Sequence, residues 1–88
     1  MYALAPDIST VDTEYGIALL HQARGEYWNL NPSGAIVLRA ALTGGPESAV
    51  AALVEAYGVD TPTATHDVQE VLAGLLAAGI LLPDGEAA

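Results

Sequence analysis

At Asn31-Pro32 the hydrophobic period of the chain changes from two residues to about 3.6. Upstream of that point the sequence reads as strands. "DISTVDTE", residues 7–14, alternates loosely, with Ile8, Thr10 and Asp12 opposite Ser9, Val11 and Thr13. "GIALLHQ", residues 16–22, is an apolar run opened by a glycine. "GEYWNLN", residues 25–31, alternates from Glu26 to Leu30 and carries the β-formers Tyr27 and Trp28. The connectors "TEYG" and "QARG" are short and end in Gly16 and Gly25, which predicts an antiparallel meander. The switch itself has a mechanism. Asn is a good N-cap, and proline fits the first helical position, where no N–H bond is needed.

Downstream the chain reads as helices. The first is predicted from Pro32 to about Leu42, with Ala35, Leu38, Ala41 and Leu42 among its apolar residues, and it stops at Gly44-Gly45. A second starts around Pro46. Its Val50, Leu53, Val54 and Tyr57 form one buried stripe at i, i+3, i+4, i+7, and Gly58 is its C-cap. A third begins near Thr61 or Pro62 and ends at Gly79, with a stripe of Val68, Val71, Leu72, Leu75 and Leu76. "ILLP" follows as a short extended tail, and "DGEAA" is expected to fray. The predicted fold class is therefore α+β, winged helix-turn-helix-like, with a three-stranded antiparallel sheet followed by three helices. At 88 residues this is one domain over 1–88, with an ordered core at about 6–82.

Charge and residue types narrow the function. The net charge is −9, with 11 acidic residues against Arg24 and Arg39. Nucleic-acid binding draws most of its affinity from neutralising phosphates with Lys and Arg, so two arginines argue against it. An anionic membrane surface is disfavoured on the same ground, and no apolar run is long enough to span a bilayer. The N-terminus lacks the pattern of a signal peptide, so a cytoplasmic protein is expected. There is no cysteine, which removes disulfides, thiolate metal sites and Cys nucleophiles. His21 and His66 lie on different predicted elements, and no metal-ligand spacing or GxSxG context appears. Nothing here builds a catalytic or metal site, and no cofactor is implied. Asp67 and Glu70, three apart on one helix face, read as a solvated face or as polar markers at the lip of a groove.

Taken in order, "GEYWNLNPSGAIVLRAALTGG", "ESAVAALVEAYGVD" and "DVQEVLAGLLAAGILL" resemble the PqqD-like proteins, the peptide-recognition elements of ribosomal natural-product pathways. Within that family they look most like the stand-alone B1 proteins of lasso peptide biosynthesis. The resemblance covers roughly residues 16 to 82 and rests on the order and spacing of the three pieces. It implies a winged helix-turn-helix fold and no enzymatic activity. It also implies capture of the leader segment of a precursor peptide, which adds as a strand to the sheet edge and lies against the third helix. The implied partners are a leader peptidase of the B2 type, resembling a cysteine protease, and an ATP-dependent, asparagine-synthetase-like cyclase. A winged-helix DNA-binding protein shares this fold. Its recognition helix should be basic, whereas residues 62 to 79 contain no Lys or Arg.

The residues point the same way without the family. An unpaired strand edge is a template for β-augmentation, and "GEYWNLN" has no proline or lysine to protect it. Alternation sends Glu26, Trp28 and Leu30 to the helix side, and Tyr27 and Asn29 away. The candidate leader-binding residues are Glu26, Tyr27, Trp28, Asn29 and Leu30 on the strand, with Asp67, Val68, Glu70, Val71, Gly74, Leu75 and Ala78 on the last helix. Val68, Leu72 and Leu76 are at the same time the core positions this helix is expected to supply. Gly74 costs about 1 kcal/mol in a helix interior, which is tolerable where a peptide backbone must come close.

Overall fold

The period change is where the architecture turns. In the computed structural model, which describes residues 2–83, Asn31 is extended and its Oδ1 accepts a hydrogen bond from the Gly34 N–H at 2.8 Å. Pro32 follows as the first residue of a helix. The elements run β1 Tyr2–Leu4, β2 Ile8–Thr13, β3 Gly16–His21, β4 Glu26–Leu30, α1 Pro32–Tyr57, α2 Thr61–Ala77 and β5 Leu81–Pro83. The expected fraying of residues 84–88 lies outside the described residues.

β2, β3 and β4 form an antiparallel sheet in that order. Ile17 lies opposite Leu30 and Leu19 opposite Trp28, so these four share the face turned to the helices. Ile17 and Leu19 are buried, and Trp28 and Leu30 pack half-buried against the same core. Leu20 faces Tyr27 on the opposite side of the sheet, where both are exposed. Ala35, Ala41, Ala49 and Ala64 are fully buried, which is how an alanine-rich chain without phenylalanine closes a core: thin side chains let backbones approach.

Three expectations need correction. There are two helices and not three. The break expected at Gly44-Gly45 is nonetheless present: Gly45 (φ 80°, ψ −171°) leaves helical geometry and Pro46 follows, so α1 consists of two helical limbs that meet at a kink. Tyr57, expected in a buried stripe, is 50% exposed. It is the last residue of α1, and Gly58, left-handed, turns the chain away directly after it. On α2 the inward stripe is Ala64, Val68, Leu72 and Leu75, which leaves Leu76 half-buried. Its i, i+4, i+8, i+11 spacing is a helical face rotated slightly from the expected one.

A second sheet goes beyond the expected elements. β1 pairs antiparallel with β5, Tyr2 opposite Pro83 and Leu4 opposite Leu81. The end of α2 makes this possible. The Gly79 N–H donates to the Leu76 carbonyl and the Ile80 N–H to the Leu75 carbonyl, a Schellman ending. Ile80 and Leu81 thereby turn back into the core, at 0% and 1% exposure.

Candidate functional site

β4 bonds to β3 on one side only, and among the described residues no strand pairs with its other side. The described segments that could have covered that edge are engaged elsewhere. β2 pairs with β3, and the N-terminal strand and the tail pair with each other. β4 thus presents a row of main-chain N–H and C=O groups along five residues, or about 17 Å at strand rise.

Beside this edge runs a furrow of about 340 Å³. Trp28, Asn29 and Leu30 of β4 form one wall and Glu70, Val71, Gly74, Leu75 and Ala78 of α2 the other. The α2 positions advance by one, three, one and three, which keeps them on a single stripe facing β4. Gly74 is exposed at the middle of that stripe, and a Cβ built on it would have no atom within 4 Å. The absent side chain leaves open space along the furrow.

The other candidate residues fall differently. Glu26 and Tyr27 stand at the start of β4, outside the furrow. Tyr27 is 68% exposed on the far side of the sheet, as alternation requires. Val68 is 1% exposed, so it belongs to the core and is out of reach of a ligand, a correction that follows from its place on the inward stripe of α2. Ile80, not among the candidates, backs the furrow from the core at 0% exposure, so like Val68 it supports the wall without reaching a ligand.

Asp67 lines a second and larger concavity of about 610 Å³. The start of α1 (Asn31, Pro32 and Ser33) forms one side and Tyr57 with Val59 another, over buried Val37 and Leu53. Glu70 and Val71 border both spaces, so furrow and concavity adjoin at these residues. Neither space has a Lys or Arg in its lining. Arg24 lies 3.8 Å from Glu26, and Arg39 bonds Asp12 at 2.7 Å across the β2–α1 junction. His66 Nε2 is 3.6 Å from Glu70. α2 itself carries no Lys or Arg, so the phosphate-neutralising side chains of a DNA-reading helix are missing from it. What the site presents is main-chain hydrogen-bonding groups, apolar side chains and carboxylates. The Ser33 hydroxyl at its border donates to Asn31 Oδ1 at 3.0 Å as part of the helix cap.

Known proteins share both the sequence and the shape. The profile of the family described as coenzyme PQQ synthesis protein D (PqqD) matches residues 16–81. A solved structure of a lasso peptide synthetase B1 complexed with the leader peptide is 34% identical, with a TM-score of 0.85 over 93% of this chain and 98% of that one. A second, TbiB1 in complex with the TbiA(beta) leader peptide, is 26% identical, with a TM-score of 0.80 over 93% of this chain and 94% of that one. No curated protein matches the chain at a significant level.

Proposed function

The chain belongs to the PqqD family, and from that premise we propose that it is a leader-peptide recognition element of lasso peptide biosynthesis. It captures the leader segment of a ribosomally made precursor in the cytoplasm and presents it to a leader peptidase and a cyclase, without catalysing a step itself. The two limbs of α1, residues 32–44 and 46–57, act as the first two helices of a winged helix-turn-helix. α2 is the third helix, and β2, β3 and β4 form the wing-bearing sheet.

The observation that carries this reading is the open edge of β4 beside a furrow walled by α2. The likeness to two proteins solved with leader peptides supports it. In the proposed mode the leader adds as a fourth strand along Glu26 to Leu30. Main-chain bonds give affinity, and every second side chain enters the furrow between Trp28 and the stripe Val71, Gly74, Leu75 and Ala78. Glu70 marks the lip.

Calorimetry with a candidate lasso-precursor leader peptide tests the mode. N-methylation of alternate peptide bonds in that leader removes N–H donors without changing side chains. One of the two alternating sets is expected to abolish binding and the other to spare it. Equal tolerance of both sets refutes strand addition.

A further inference from the structure

The furrow does not end with the strand. At Glu70 and Val71 it adjoins the 610 Å³ concavity beyond the C-terminal end of β4, where Asn31 to Ser33 begin α1. A peptide held along β4 and continuing past Leu30 runs into this space. The space has two chemistries. Pro32, Leu53, Tyr57 and Val71 supply apolar surface, while Asp67 and Glu70 supply carboxylates. Among the described residues Asp67 has no ion-pair partner, and Glu70 has only exposed His66 at 3.6 Å.

We propose that this concavity is a specificity slot for a lysine or arginine of the bound peptide, placed just outside the segment that adds as a strand. The inference rests on the leader-binding reading and adds the class of side chain the site selects. A long basic side chain meets both chemistries: its methylenes lie on the apolar wall and its head reaches the carboxylates. The exposed Tyr57 ring adds a face that attracts a cation. An acidic side chain is repelled there, and the net charge of −9 reinforces the preference.

The test uses the full chain, immobilised, against a phage-displayed library of random 20-residue peptides, followed by titration of the enriched peptides. Wild type is expected to select alternating apolar anchors with a Lys or Arg at one fixed offset outside them. Changing that residue to Gln weakens binding about two- to fivefold, the value of one solvent-screened ion pair. The gap closes as salt is raised. In the Asp67→Asn, Glu70→Gln double variant the Lys-to-Gln difference is expected to disappear, whatever the change in overall affinity. Both positions are exposed and the changes nearly isosteric, and the salt titration on unaltered protein gives a readout independent of any variant. Anchors without a basic preference, an apolar or aromatic preference at that offset, or a Lys-to-Gln effect that survives in the double variant would each overturn the slot while leaving leader binding intact. Selection without alternating anchors, or anchors indifferent to Gly74→Leu, overturns the leader-binding reading and the slot with it.

Discussion

Replacing Gly74 separates stability from binding, because the two are expected to move in opposite directions. Gly74 lies inside α2, exposed, and a Cβ there meets no atom within 4 Å. Gly74→Ala therefore adds no clash and little packing. It removes the backbone entropy that makes glycine about 0.8–1.0 kcal/mol worse than alanine in a helix. The free protein should gain about 0.5–1 kcal/mol, which in a domain of this size raises Tm by about 3–6 °C. The bound state is different, since the open space over Gly74 is the furrow the leader is proposed to fill. A methyl group there, and still more the side chain of Gly74→Leu, occupies volume the peptide needs. Overpacking of about 1–3 kcal/mol corresponds to a loss of affinity between fivefold and a hundredfold. Thermal unfolding followed by circular dichroism reads the first effect, and calorimetry with the leader peptide reads the second. A stabilised Gly74→Leu protein that binds as tightly as wild type refutes the furrow as the contact surface. A destabilised Gly74→Ala refutes the account of why the glycine is tolerated.

Three other substitutions test the frame around the site. Trp28→Ala, checked for folding by its amide spectrum, should lower leader affinity at least tenfold, because half-buried Trp28 is the largest side chain on the furrow wall. Gly16→Ala should cost on the order of 2–4 kcal/mol in urea unfolding: Gly16 has φ 144°, and a Cβ would fall 1.9 Å from the Leu30 carbonyl oxygen. Asn31→Ala loses the bond to the Gly34 N–H and should cost about 1 kcal/mol by the same assay.

The meander was legible because its three strands are each five or six residues long, enough for a period to show, with connectors ending in turn glycines. The start of α1 was legible because an N-cap is a local device of one or two residues. The β1–β5 sheet was not, since three-residue strands carry no period and their pairing joins opposite ends of the chain. The interruption at Gly45-Pro46 was legible because glycine and proline disfavour a helix interior, and it stands in the structure as the kink between the two limbs of α1. The furrow wall on α2 could be read from one stripe, apart from assigning Val68 to both core and site. The larger concavity could not be read at all. Its lining comes from residues 31–33, 37, 53, 57, 59, 67, 70 and 71, brought together only by the packing of α2 across the bent α1.

A free sheet edge invites wrong pairings as readily as right ones, and β4 has no lysine or proline and, among the described residues, no covering segment. Charge supplies a different protection. Edge-to-edge pairing of two copies brings together two bodies of net charge −9, with Asp67 and Glu70 beside the furrow. A short neutral or basic peptide feels no such repulsion. Both arginines stand away from the furrow, each beside a carboxylate of the sheet, so neither offsets the negative field at the groove. The acidity that argues against nucleic acid is thus also what lets an exposed strand edge persist on a small protein while remaining available to a foreign strand.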